Sequence, residues 1–236
     1  MDAHDAARLQ ASDLPSTSAW LRQEADPIWE ATFAHPIVVG IGSGETPLEN
    51  FIYFLRQDYQ YLIAFSRVFA YAAAKAADLE TIASFARLMQ GTLEVEMALH
   101  RNFCARFDLA AQDLETTEPS PTTLSYSSFL LSIAQSGTVA DILASILPCF
   151  WGYMQIGERL TQGSTPEGQP LYAEWIQTYA AQEYLELCAW LRSLFDRLTV
   201  GARPDDLKRY RRIFLTGSRY EYLFWEAARS MENWPV

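Results

Sequence analysis

The chain has 236 residues, half of them apolar, 14% aromatic and 20% charged, with 18 basic against 29 acidic side chains for a net charge of −11. Its 13 Phe, 12 Tyr and 7 Trp exclude intrinsic disorder, and a chain this long closes a core without disulfides or structural metal. A surface so negative sets it against general binding of nucleic acid and anionic lipid. Charges interrupt the apolar stretches before 18 residues, so no transmembrane helix is expected. The first twenty residues lack the apolar centre of a secretory signal. Three widely spaced cysteines, Cys104, Cys149 and Cys188, fit reduced thiols in a cytoplasm.

Almost every segment has helical period, without alternating β-branched runs or hairpin turns. Residues 1–15 read as a flexible tail. Ser16 and Thr17 can cap a first helix carrying Trp20, Leu21, Ile28, Trp29 and Phe33, which Pro27 should kink or divide. His35 to Glu45, with Pro36, Gly40, Gly42 and Gly44, reads as a connecting loop. Thr46, Pro47 and Glu49 predict a capped start for a long helix to about Ala77. Asp78 caps the next, to about Phe107, with Gly91 its weak point. A Pro-bearing loop covers 108–123, and a short helix follows from Ser125 to about Gln135. Thr138 caps a helix to about Thr161 with Pro148 inside it. After a Gly/Pro-rich loop at 162–170, helices are expected at 171–179, 181–199 and 205–231. The basic run Lys208, Arg209, Arg211 and Arg212 reads as a solvated helix face offset by Asp205 and Asp206. This pattern predicts one all-α domain, 16–236, of seven or eight helices.

Residues that break the pattern mark candidate chemistry. Asp58 sits in the apolar stripe of Phe54 and Leu62, where a carboxylate needs a partner or a ligand. Cys149 follows Pro148, and Tyr153 shares its helix face, so its hydroxyl can hold the sulfur. Cys104 and Cys188 read as core. Glu226 stands beside Phe224 and Trp225, either as a surface glutamate or as a carboxylate facing a ligand. Phenols at Tyr59, Tyr61, Tyr71, Tyr126, Tyr172, Tyr179, Tyr220 and Tyr222 fall on inner faces. Tyr, Asp, Glu and Cys together suit a flat, nitrogen-rich ring. Glu96 and His100 share a helix face, but a di-iron bundle needs a second such pair. No Gly-x-Ser-x-Gly elbow accompanies the three histidines.

Four ordered blocks resemble the TenA family, the thiaminase II type of aminopyrimidine aminohydrolase. They are AHPIVVGIGSG with FLRQDYQYL, then LPCFWGYMQIGE, WIQTYAAQEY and YEYLFWEAARSMENW. The resemblance implies a haem-oxygenase-like all-α fold without haem, a homotetramer and a role in thiamin salvage. It implies Cys149 as nucleophile, Glu226 as the proton-relaying carboxylate, Asp58 as the anchor of the aminopyrimidine, and Tyr61, Tyr126, Tyr153 and Tyr179 as pocket phenols. It places an aromatic three residues after the glutamate, where this chain has Arg229. If Arg229 points inward, its charge disfavours a thiazolium. The activity so implied is hydrolysis of 4-amino-5-aminomethyl-2-methylpyrimidine, and more weakly thiamin, without cofactor. The alternative is a non-catalytic pyrimidine- or thiamin-binding or regulatory protein. A cofactorless oxygenase on the same fold wants pocket histidines that this chain lacks.

Overall fold

The computed structural model describes residues 16–163, 166 and 168–236. The expected tail, 1–15, lies outside them. Among the described residues there is no strand, and the chain forms twelve α-helices and one π turn. The excess over seven or eight comes from interruptions. Pro27 opens a second short helix, so Thr17–Glu24 (α1) and Asp26–Phe33 (α2) are separate. The expected loop at 35–45 is a helix, Pro36–Ser43 (α3), ended by Gly44 in the left-handed region at φ 82°. Thr46 caps nothing: its hydroxyl donates to the Ile37 carbonyl, and Leu48–Lys75 (α4) starts after Pro47. The next expected helix breaks after Gly91 into Leu79–Gly91 (α5), a π turn over Thr92–Glu96, and Met97–Ala105 (α6). Within 108–123 the chain forms Ala111–Glu115 (α7), and Pro121–Ser136 (α8) begins four residues early.

The rest follows the sequence closely. Thr138 caps Val139–Thr161 (α9), exchanging bonds with Asp141. Pro170–Ala180 (α10), Gln182–Leu198 (α11) and Pro204–Ser230 (α12) complete the order. Three of the four basic residues on α12 form ion pairs, Lys208 with Asp205, Arg209 with Asp141 and Asp206, and Arg211 with Glu24.

Helix α9 is the axis of the packing, with α12, α10, α11 and α8 against it, while α4 packs on α8 and α5. By length and composition α9 can cross a bilayer, against the expectation from the sequence. The qualifying stretch is, however, 78% buried within the fold. Glycines set its distance to two neighbours. A Cβ at Gly157 would lie 2.8 Å from the Tyr179 carbonyl carbon, so α10 rests directly on α9. At Gly217 of α12 a Cβ would lie 3.0 Å from Pro148 Cγ. By contrast, nothing stands within 4 Å of a Cβ at Gly152.

Two substitutions on α9 therefore carry opposite signs. Gly157→Ala must move backbone and should cost about 1–3 kcal/mol, read as a lower midpoint of urea unfolding. Gly152→Ala fills open space and should be neutral or stabilise by up to about 1 kcal/mol.

Candidate active site

One turn of α9 turns Cys149 and Tyr153 into a cavity completed by Asp58, Tyr61 and Phe65 of α4, Glu96 of the π turn, Tyr179 of α10 and Tyr184 of α11. As it stands the cavity measures about 10 Å³, room for roughly one water. Outside its wall lies a groove of about 570 Å³ between α5, the π turn, α10 and α11. Glu96, Phe150, Tyr179 and Tyr184 line both spaces. The groove is larger but mostly apolar, while the thiol and Asp58 belong to the inner cavity.

Asp58 is buried and paired. Its Oδ2 meets His100 Nε2 at 2.7 Å, and His100 Nδ1 meets the Glu96 carbonyl at 2.9 Å. The carbonyl can only accept, so Nδ1 carries a proton, and Nε2 faces the carboxyl that favours a second one. Burial alone would lower the His100 pKa, but the hydrogen bond and charge of Asp58, with Glu96, raise it. Asp58 Oδ1 accepts from no described residue and remains open to the cavity. The ion-pair reading of Asp58 is met by Oδ2, and Oδ1 makes no hydrogen bond among the described residues.

Burial drives the Cys149 thiol well above its ordinary pKa, and the nearby Glu221 carboxyl pushes the same way. The phenol that opposes this shift is Tyr61 rather than Tyr153. Among the described residues the Tyr61 hydroxyl, fully enclosed, aligns with no hydrogen-bond partner. It lies within reach of the Cys149 thiol and the Tyr126 hydroxyl, which surround it in the site. Tyr153 packs instead against Tyr179, Trp175 and Trp225, with ring centroids 4.8, 5.9 and 5.7 Å away. Cys104 and Cys188 are buried core residues, as expected, with thiols pushed by burial to about 11 and 12.

The structure does not bring Glu226 to this cluster. Glu226 is partly exposed at the far end of α12, held by Arg229 (Nε to Oε2, 2.8 Å) and His35 (3.2 Å). The Arg229 bond above all draws its pKa down to about 2 against the opposing effect of burial, with His35 adding to the fall. It is an ionised surface carboxylate. Arg229 is likewise exposed and paired with Glu226, so it does not face the cavity, and its expected effect on a thiazolium has no structural basis. The carboxyl beside Cys149 is Glu221, one helical turn after Gly217. Tyr126 donates to its Oε1 at 2.6 Å, and burial raises its pKa to about 8. Five residues turn a helix by about 140°, so Glu221 and Glu226 cannot face the same space. Three residues after Glu221 stands Phe224, the aromatic that counting from Glu226 misses. Tyr126 lies between Tyr220, on which it stacks, and the tilted ring of Tyr61, each at 5.0 Å. Of the remaining phenols, Tyr71 is exposed and Tyr172 donates to the Thr46 carbonyl, both away from the site.

With respect to known proteins, residues 22–231 match the TENA/THI-4/PQQC family. An aminopyrimidine aminohydrolase of Halalkalibacterium halodurans is 42% identical over 93% of this chain and 98% of its own. A solved TenA homologue from P. horikoshii OT3 superposes with a TM-score of 0.84 at 33% identity, covering 91% of this chain and 98% of that one. A domain with a heme oxygenase-like fold from Shewanella denitrificans superposes at 0.70, with 12% identity over 91% and 92% of the two chains, and shares the fold.

Glu221 makes stability pH-dependent. In the unfolded chain it ionises near 4.5, in the fold near 8. The unfolded state loses its proton first, so the fold is penalised progressively as pH rises from about 4.5 to about 8. Glu221→Gln removes that penalty. Its melting temperature should match or trail the parent near pH 4.5 and exceed it above pH 8, by calorimetry. A difference that does not grow with pH contradicts the burial of a neutral acid here.

Proposed function

The chain belongs to the TENA/THI-4/PQQC family, and from that premise we propose that it hydrolyses 4-amino-5-aminomethyl-2-methylpyrimidine, and more weakly thiamin, to the hydroxymethylpyrimidine in thiamin salvage. The observation that carries the proposal is a cavity lined by the Cys149 thiol and Asp58, with the buried Glu221 carboxyl beside the thiol. The ring's 4-amino group donates to Asp58 Oδ1, and its faces lie among Tyr61, Tyr153 and Tyr179. Cys149 adds to the ring carbon next to a ring nitrogen. Thiol and Glu221 both start protonated, so the proton moves by relay. Glu221 gives its proton to the ring nitrogen and takes the one leaving sulfur.

The 4-amino nitrogen then pushes its electron pair toward the exocyclic carbon and expels the leaving group. Asp58 stabilises the cation that develops there. Water adds to the exocyclic alkene, and reversal of the first steps returns the proton and frees Cys149. None of these steps calls on a cofactor. A homo-oligomer, a tetramer by family likeness, and a cytoplasmic location with reduced thiols belong to the same proposal.

The test is turnover with the product identified by mass. Cys149→Ser should fold and lose nearly all activity, because a serine hydroxyl is a far poorer nucleophile at neutral pH. Cys104→Ser and Cys188→Ser should stay active. Glu221→Gln should lose about 10²-fold or more in kcat, and Glu226→Gln should change little. Turnover that survives Cys149→Ser, or that depends on Glu226 and not on Glu221, overturns the assignment.

A further inference from the structure

Glu96 ends the only π turn among the described residues, the break between α5 and α6. Such turns are wider than the α-helix around them and recur at functional sites. The side chain of Glu96 lines the catalytic cavity on one side and the apolar groove on the other. Glu221 and Tyr126 line neither space. In the reading proposed above the ring sits between Asp58 and Cys149, and the shared wall, where Glu96 stands, is the side of the cavity that borders the groove.

The substituent on the exocyclic carbon has a chemical need which Glu221 does not meet. A primary amine cannot depart as an anion. Its nitrogen must hold a third proton by the time the carbon–nitrogen bond breaks. The wall offers few protons. His100 of α6 has both ring nitrogens taken by Asp58 of α4 and the Glu96 carbonyl. Burial pushes the phenols of Tyr179 and Tyr184 well above their ordinary range, and the Cys149 proton is taken by the relay. Glu96 is pushed up to about 7, first by burial and then by the charge of Asp58, against the opposing effects of His100 and the Tyr179 hydroxyl. It therefore holds a proton near neutrality and parts with it readily.

We propose that Glu96 is a further catalytic residue, the acid that protonates the leaving amine, a role that rests on the hydrolytic reading above and extends it to the departing group. The neutral amine takes the Glu96 proton as its bond to the exocyclic carbon breaks. The bonding pair leaves on nitrogen as ammonia, and the 4-amino electron pair closes the exocyclic double bond. The water that adds next leaves its hydroxyl on that carbon and returns its other proton to Glu96. A thiazolium needs no such help, because breaking its bond neutralises the cation.

The two substrates therefore separate catalysis from architecture. In Glu96→Gln, kcat on the aminomethylpyrimidine should fall by about 10²-fold or more, while kcat on thiamin should change by less than about threefold. Equal losses on both substrates, or no loss on either, overturn the role. A second arm needs no variant: wild-type kcat on pyrimidines carrying substituted anilines at the methylene should depend only weakly on aniline basicity, and a steep dependence overturns the proposal. Cys149→Ser keeps the two claims apart. If it is inactive on both substrates while Glu96→Gln falls equally on both, the hydrolytic reading stands and only the role of Glu96 is lost. A wild-type protein that cleaves neither substrate removes both.

Discussion

Where α12 crosses α9, Gly217 rests on Pro148 and on the Ser145 carbonyl, which would lie 3.0 and 3.2 Å from a Cβ at that position. Everything at the site depends on this closeness. Cys149 is the next residue after Pro148, and Glu221 is one turn after Gly217. A side chain at 217 would lift α12 from α9 and part acid from thiol. Pro148 serves the same contact. It gives up a helical hydrogen bond and presents a smooth ring where a glycine can sit.

Removing water from this contact sets the protonation states. A lone charge in such an interior costs several kcal/mol, so isolated groups stay neutral. Burial is accordingly the largest influence on Cys149, Glu221 and Glu96, and it raises all three. The exception is the Asp58–His100 pair, where the carboxyl and the Glu96 carbonyl hold both ring nitrogens of His100 and raise its pKa against burial. The resting site thus holds its mobile protons on the thiol and the two carboxyls, and a fixed negative oxygen on Asp58. That distribution suits a reaction that moves protons between sulfur, ring nitrogen and leaving group without building net charge. The chain's −11 is carried elsewhere, on surface groups such as Glu226, whose Arg229 and His35 partners keep it ionised.

Much of the fold was legible because it is local. Thr138 and Asp78 cap as their side chains predict, and Pro27 and Gly91 interrupt where backbone chemistry says they should. The helix at 36–43 was not legible, because its glycines signal a loop unless one knows that Gly40 packs on Thr46. Cys149 and Asp58 stood out as polar residues in apolar surroundings. The same criterion finds Glu221, which lies on the stripe of Ile213, Phe214, Gly217, Ser218, Phe224 and Ala228. Adjacency to Phe224 and Trp225 favoured Glu226, although neighbours in sequence point to different sides of a helix. The Asp58–His100 pair and the shared wall at Glu96 join distant segments, and no local pattern announces them.

The central claim is that burial keeps Glu221 protonated beside a neutral Cys149. Infrared difference spectroscopy of the parent against Glu221→Gln reads this directly. The account predicts a protonated-carboxyl stretch at pH 7 that is lost in the variant and fades in the parent as pH rises through about 8. A Glu221 already ionised at pH 7, with no such band, would contradict it.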